Sequence, residues 1–182
     1  MSDERRTVEL APHDPAWAAT ARAESERLKG TLGPTLIVVH HIGSTSIPGI
    51  KAKPIVDLMP LVRSLDDLDA QAERIKSLGY DWRGEFGIAG RRFCTLNDEQ
   101  TGKRAIHVHF FADGWPDTYR HLNFRDYLKA HPDEARLYEA QKLSAAARHP
   151  NDVEAYTDAK GPWIQACEHR ASAWALARNQ AS

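Results

Sequence analysis

The segment from His41 to Leu58, HIGSTSIPGIKAKPIVDL, combines residue types that bind phosphate and metal ions. Gly43 lets the backbone approach a ligand closely, and a helix starting there would add a favourable dipole. Hydroxyl and backbone N–H groups suited to phosphate oxygens follow at Ser44, Thr45 and Ser46. Asp57, inside the next apolar run, suits a hard cation such as Mg²⁺. The segment predicts a phosphate-binding loop beside a cation-binding carboxylate, with Ser44 and Asp57 as catalytic candidates.

Two histidines extend this candidate site. His107 and His109 alternate along the apolar run IHVHFF, so both side chains lie on one face of a strand. The residue that shares the face of Asp57 on its own strand is Met59, not a second acid. One aspartate with two imidazoles is typical of a single site for a borderline ion. Metal ligation is therefore predicted for Asp57, His107 and His109, without the Cys ligands of a structural zinc site.

Basic residues near these motifs are candidates for neutralising phosphate charge. The candidates are Lys53, Arg92, Arg125 and Lys160. Adjacent strand residues face opposite ways, so only one of Arg91 and Arg92 can reach a given pocket. For the same reason only one of His40 and His41 can join the site, and His41 is preferred.

Structural roles would explain the same residues. The Gly-Ser turn would join a strand to a helix with serine as the N-cap, and Asp57 would form a buried salt bridge. The two histidines would line a polar sheet face, and Lys160 would extend its ammonium group from an apolar stripe to solvent. Glu24, on the apolar stripe of the first helix, would likewise reach solvent at the edge of that stripe.

The pattern along the chain predicts an α+β fold with a helical C-terminal half. Runs of β-branched and apolar residues predict strands at 35–42, 54–62, 91–96 and 104–111. Helical periodicity predicts one helix from Asp14-Pro15 to Lys29 and another after the Ser64 cap to Leu78. Helices fill the chain after Pro116, with a break near His131-Pro132 and, because proline disrupts helices, a break or a kink at Gly161-Pro162.

Length and composition indicate an ordinary globular chain. Its 182 residues suit one domain, and 42% are hydrophobic and 27% charged. The net charge of −1 gives no general attraction to nucleic acid or to membranes. Cys94 and Cys167 are far apart and are interpreted as buried thiols. Without a signal-peptide core at the N-terminus or an apolar run that could span a bilayer, we expect a cytoplasmic protein.

The motifs also resemble a known family. Segments in the order expected of the GrpB-like family are VELAPHDPAW, HIGSTSIPGIKAKPIVDL, IHVHFF, FRDYLKAHP and AYTDAKGPWI. The resemblance covers roughly residues 7 to 165 and implies a nucleotidyltransferase fold of the DNA polymerase β type. Enzymes of that type usually carry two carboxylates at alternate positions of one strand and a third on a neighbouring strand. Here Met59 replaces the second, so the carboxylate set is incomplete.

The resemblance leaves two functions open. The first is binding of a nucleotide or another small phosphorylated ligand with a divalent cation, Mg²⁺ or Mn²⁺ ahead of Zn²⁺, with nucleotidyl transfer as the reaction. The second is an accessory module that assists a protein partner, because domains of this family also occur fused to dephospho-CoA kinase. The sequence contains no P-loop motif of such a kinase.

Overall fold

A computed structural model describes residues 7–180. The strands are β1 (Leu36–Ile42), β2 (Val56–Val62), β3 (Asp81–Trp82), β4 (Arg91–Asn97) and β5 (Arg104–Ala112). The helices are α1 (Ala16–Leu32), α2 (Leu65–Asp69), α3 (Ala72–Ser77), α4 (Pro116–Ala130), α5 (Pro132–Arg148) and α6 (Val153–Gln180). The predicted α+β class and helical C-terminal half are confirmed.

The strands form one mixed sheet in the order β1-β2-β5-β4-β3. Strands β2 and β5 are parallel, whereas the other neighbouring pairs are antiparallel. The parallel register places Asp57 directly opposite His107, although 50 positions separate them in the sequence. The centre of the sheet therefore brings the two predicted metal-binding motifs together.

Helices cover both faces of the sheet. Val56, Leu58 and Val62 of β2 pack in one cluster with Trp17 and Leu28 of α1. The alternate residues of β2, Met59 and Leu61, face the other way and pack near Leu122 of α4. Helices α4, α5 and α6 also pack on one another and on the loop after β1, through a cluster of Ile47, Ile50, Tyr127, Tyr138, Cys167 and Ala171. The loop and the helical half therefore share a core.

Three local expectations need correction. The helix after Ser64 is divided between α2 and α3, although the Ser64 hydroxyl does accept the Asp67 N–H at 3.2 Å as predicted. Of the predicted break or kink at Gly161-Pro162, the break does not occur, because helix α6 continues through Pro162. Proline removes one hydrogen bond of the helix, and buried residues on both sides, Tyr156 and Cys167, keep the two halves packed.

The third correction concerns Glu24, which does not reach solvent. It is only 9% exposed, and its carboxylate accepts the Tyr80 hydroxyl at 2.6 Å and the Arg27 guanidinium at 2.7 and 2.9 Å. Burial and this carboxylate both raise the pKa of Tyr80, which keeps the phenol protonated. The buried carboxylate thus fixes α1 to the segment between α3 and β3.

No helix among residues 7–180 has both the length and the apolar character needed to cross a membrane.

Candidate functional site

Asp57, His107 and His109 lie together on the helix α4–α6 side of the sheet. Asp57 Oδ1 is 3.3 Å from His107 Nδ1 and 3.4 Å from His109 Nε2. One ligand atom from each residue lies within 4.8 Å of the others. With metal–ligand bonds of about 2.1 Å, ligand atoms are roughly 3.0–3.4 Å apart in octahedral or tetrahedral sites. The three side chains could therefore hold one metal ion, with the distances from Asp57 to both histidines in this range.

The electrostatics of Asp57 favour its ionised form. Burial alone would raise the pKa of this carboxyl, but its contacts with His107 and His109 outweigh burial and hold the pKa well below its usual range. The neighbour on the same face of β2 is Met59, which is fully buried in an apolar cluster. The cluster therefore contains one ionised carboxylate and two imidazoles.

The loop after β1 approaches Asp57 very closely. Gly43 has φ +71° and ψ −173°, a conformation found almost only in glycine. A Cβ atom added there would lie 2.7 Å from Asp57 Oδ2. The absence of a side chain at Gly43 leaves room for the carboxylate of Asp57, and the close approach of a ligand to Gly43 stays a prediction. Glycine is thus required for the loop to lie against this residue.

Ser44 to Ser46 form a single 3-10 turn, so no helix begins at this loop and no helix dipole supports it. Ser46 completes the turn by donating its hydroxyl to the Gly43 carbonyl at 2.6 Å. Thr45 contacts the His41 ring at 2.9 Å. The Ser44 hydroxyl donates to the Tyr138 hydroxyl at 3.1 Å. Of the three hydroxyls, that of Ser44 is therefore the one held between the loop and α5.

A cleft of about 210 Å³ opens between this loop, the sheet and the C-terminal helices. Its lining residues are Gly43, Ser44, Thr45, Lys53, Ile55, Asp57, His107, Tyr138, Tyr156 and Lys160. The Lys160 ammonium lies 3.8 Å from the centre of the Tyr156 ring, and the Lys53 ammonium lies 5.5 Å from it. The cleft thus contains one carboxylate, Asp57, and two lysines, charges that a metal ion and an anion could use together.

Burial also changes the titration of the lysines. It lowers the pKa of Lys160 to about 8, with the charge of Lys53 acting in the same direction and Asp57 opposing it. Beneath the cleft, burial and the charge of Lys160 lower the pKa of Lys142 to about 7. Lys142 is 1% exposed, donates to the Lys51 carbonyl and lies 4.7 Å from the Tyr138 ring centre. Sequence reasoning missed Lys142, Tyr138 and Tyr156, because only the packing of α5 on α6 reveals them.

Of the adjacent residues Arg91 and Arg92, the sequence favoured Arg92 for the site, but the structure turns Arg92 away from it. It lies on the opposite face of β4 from the histidine pair and binds Asp69 through two contacts of 2.7 Å. Arg91 is the residue on the histidine side, with a guanidinium nitrogen 3.4 Å from His109 Nδ1. Arginine carries only donors, so a hydrogen bond at this distance requires His109 Nδ1 to accept it.

His41 and Arg125 lie behind the loop and not in the cleft. The register pairs His41 with Leu58, whose face of the sheet is opposite that of Asp57. Burial lowers the pKa of His41 to about 4, so the ring is neutral where it contacts Thr45. Arg125 donates to the His41 carbonyl at 3.2 Å and to the Asp126 carboxylate at 2.7 Å. Both residues therefore position the loop instead of lining the cleft.

Comparisons with known sequences give a consistent result. The profile of a family described as GrpB protein matches residues 7–170. UPF0157 protein YqkA of Bacillus subtilis is 43% identical over 178 residues, covering 98% of this chain and 51% of that protein. A dephospho-CoA kinase of Mycolicibacterium paratuberculosis is 33% identical, covering 94% of this chain and 47% of the kinase. The chain thus spans about half the length of each of these relatives.

Solved structures show the same relationship at the level of the fold. The crystal structure of conserved protein GrpB from Enterococcus faecalis superposes with a TM-score of 0.83 and 34% identity, covering 90% of this chain and 96% of that one. The structure of Cid1 in complex with its short product ApU has a TM-score of 0.53 and 14% identity, covering 75% of this chain and 43% of that one. Cid1 is named a poly(U) polymerase. At this identity the likeness shows a nucleotidyltransferase-like fold and no more.

Proposed function

This chain belongs to the GrpB family, and we propose that its cleft binds a nucleotide or a related phosphorylated ligand through one divalent cation. The observation that carries the proposal is the convergence of Asp57, His107 and His109 beside the Gly43–Thr45 loop. The basic wall of the cleft supplies the charge that a phosphate needs. The nucleotidyltransferase-like fold of the neighbours supports the same interpretation.

The donor set fits a transition metal better than it fits a pair of magnesium ions. Mg²⁺ prefers oxygen ligands, whereas imidazole suits Zn²⁺ and similar ions. Mn²⁺ accepts carboxylate and water ligands as well, so we place Mn²⁺ and Zn²⁺ ahead of Mg²⁺. When bound, the ion would neutralise phosphate charge and orient the phosphate. Nucleotidyl transfer with two metal ions requires several carboxylates. In the cluster found among the described residues, Asp57 is the one acid.

The side chains of the chain itself would then divide the binding work. Ser44 would turn its hydroxyl from Tyr138 to a phosphate oxygen, and the backbone N–H groups of the loop would add donors. Lys160 and Lys53 would pair with the oxygens farthest from Asp57. To ligate an ion through Nε2, His109 must carry its proton on Nδ1. The one Arg91 nitrogen that faces Nδ1 would then move away from it, while the other two keep their hydrogen bonds to the Phe86 and Glu85 carbonyls. Metal binding would weaken at low pH, because a protonated imidazole cannot ligate an ion.

The test is calorimetric titration with ATP, GTP, CTP and UTP, each with and without Mn²⁺ or Zn²⁺. We expect at least one nucleotide to bind below millimolar concentration only with the ion, since ionised Asp57 repels bare phosphates. Asp57→Asn should abolish this dependence and Ser44→Ala should weaken binding. Asp66→Asn, at an exposed carboxylate in the first turn of α2, is the matched control and should change neither. Equal binding to wild type and Asp57→Asn would refute the proposal.

A second candidate is an accessory role toward a protein partner. It is favoured by the relatives named dephospho-CoA kinase, of which this region makes up about half. Failure of all four nucleotides to bind, together with stoichiometric co-purification of one protein through a tagged chain, would place this candidate first. Loss of that co-purification in Asp57→Asn would instead connect the partner to the cleft.

A further inference from the structure

We propose that Phe86, at the tip of the loop between β3 and β4, stacks on the aromatic ring of the same ligand whose phosphate occupies the cleft. This proposal rests on the proposed function and extends it. It identifies the ligand as a nucleotide and assigns a binding position to the nucleobase. We call Phe86 together with the underlying Phe93 the aromatic shelf.

The backbone at Phe86 is held in an unfavourable conformation. Phe86 has φ +46°, and no other non-glycine residue among 7–180 has a positive φ. A bulky side chain in the left-handed region is strained, and such strain persists where the surroundings enforce it, often at ligand sites. In this conformation a large part of the aromatic side chain lies in solvent, since Phe86 is 57% exposed.

Arg91 is the residue that enforces this conformation. Its guanidinium donates to the Phe86 carbonyl at 2.7 Å and to the Glu85 carbonyl at 3.2 Å. The Glu85 carboxylate in turn accepts the Gly90 N–H at 2.9 Å. Arg91 is 7% exposed and reaches His109 with its remaining nitrogen. One buried side chain therefore connects the shape of the loop directly to a proposed metal ligand.

The shelf is continuous with the metal-binding residues. The Phe86 and Phe93 rings are stacked, with centres 5.4 Å apart and planes inclined by 23°. The Phe93 ring centre lies 5.3 Å from that of His107 and 5.0 Å from that of His109. Across the sheet, Phe93 on β4 is two strand spacings, or about 10 Å, from Asp57 on β2. The phosphate loop and the aromatic shelf thus flank the metal ligands on opposite sides.

The surroundings of the shelf suit a planar ring more than an aliphatic group. The Arg83 guanidinium carbon lies over the Phe86 ring, 5.4 Å from its centre, so a cation already contacts part of the π surface. Aromatic side chains and guanidinium planes are the groups on which proteins stack nucleobases. Stacking tolerates any base, because every base has a π face. The shelf therefore predicts affinity for nucleotides in general and weaker affinity for a phosphate chain without a base.

The experiment compares ATP with inorganic tripolyphosphate, both with Mn²⁺, on wild type and on Phe86→Asn. Asparagine tolerates positive φ, so this variant removes the ring without adding strain. We expect Phe86→Asn to weaken ATP binding by roughly fivefold to a hundredfold, as stacking on one base predicts, and to leave tripolyphosphate binding unchanged. Phe86→Trp, which keeps a stacking ring, should retain ATP binding and show quenched fluorescence when ATP is added.

The outcomes separate the two proposals. Unchanged ATP affinity in Phe86→Asn, or equal weakening of ATP and tripolyphosphate, would overturn the aromatic shelf and leave the proposed function standing. Absence of binding of either ligand to wild type would overturn both. Leu137→Asn, at an exposed apolar residue of α5, is the control and should leave both affinities unchanged. Melting temperatures of all variants confirm that each is folded.

Discussion

Replacing Gly43 with alanine should disturb the candidate site directly, although the change adds only one carbon. The added Cβ would lie 2.7 Å from Asp57 Oδ2, so the carboxylate must move. The backbone at Gly43 would also be strained, with φ +71° and ψ −173°. Gly33 provides the matched control, because it has φ +52° and ψ −130° but no atom within 4 Å of an added Cβ.

The difference between the two variants isolates the contact with Asp57. Each alanine should lower the free energy of unfolding by about 1–3 kcal/mol through backbone strain. Gly43→Ala should also lose the contacts of Asp57 with His107 and His109, at 3.3 and 3.4 Å. Hydrogen bonds to charged groups contribute about 1.5–3 kcal/mol, and these are long, so we expect a further loss of about 1–2 kcal/mol.

Urea denaturation at neutral pH measures both free energies of unfolding, and calorimetric titration measures Mn²⁺ affinity. We expect Gly43→Ala to be the less stable variant and to lose at least about tenfold in Mn²⁺ affinity, which corresponds to ~1.4 kcal/mol. Gly33→Ala should keep wild-type affinity. Equal destabilisation of the two variants, with Mn²⁺ affinity retained in both, would show that Gly43 does not serve to admit Asp57.

Three further predictions address stability and charge. Tyr80→Phe removes the buried hydroxyl that donates to Glu24 and should lower the free energy of unfolding by about 1.5–3 kcal/mol; urea denaturation checks this against Tyr119→Phe, at an exposed ring, which should be neutral. Burial and the nearby Arg120 charge lower the pKa of His121 to about 4 in the folded protein. The stability that neutral His121 contributes is therefore complete above the pKa of histidine in the unfolded chain. It is lost as the pH falls from that unfolded pKa to the folded one. His121→Gln should therefore make the pH dependence of stability shallower by about 1 kcal/mol per pH unit near pH 5, and an unchanged slope in urea titrations would contradict this. Because the pKa of Lys160 is about 8, about half of the Lys160 side chains are neutral near pH 8, so wild type should take up as much as about half a proton when tripolyphosphate binds. Lys160→Arg should take up less. Calorimetric titration in two buffers of different ionisation enthalpy measures this proton uptake.

The motifs of the site could be predicted from the sequence because their periodicity is local. The alternation of His107 and His109 fixes that they share a face, and the apolar run around Asp57 indicates a central strand. The convergence of the two motifs depends on the parallel pairing of β2 with β5, which joins residues 50 positions apart. A hydrophobic pattern contains no information on which strands become neighbours.

The errors have the same origin. Because side chains alternate along a strand, Arg91 and Arg92 are known to face opposite ways. The pairing of β4 with β5 decides which of the two contacts His109. The same holds for His41, which the register of β1 on β2 turns away from Asp57. The tyrosines of α5 and α6 line the cleft because of how those helices pack, and the positive φ of Phe86 has no signature in a sequence without glycine at that position.

The central claim is that Asp57, His107 and His109 hold one divalent cation beside a phosphate in the cleft. Crystals of the wild-type protein soaked with Mn²⁺ and a nucleotide, and measured for anomalous scattering of manganese, test it most directly. We predict one anomalous peak within about 2.0–2.3 Å of Asp57 Oδ1 and an imidazole nitrogen, with phosphate density over Ser44. A map in which the Asp57 contacts with both histidines persist while manganese binds elsewhere would contradict it.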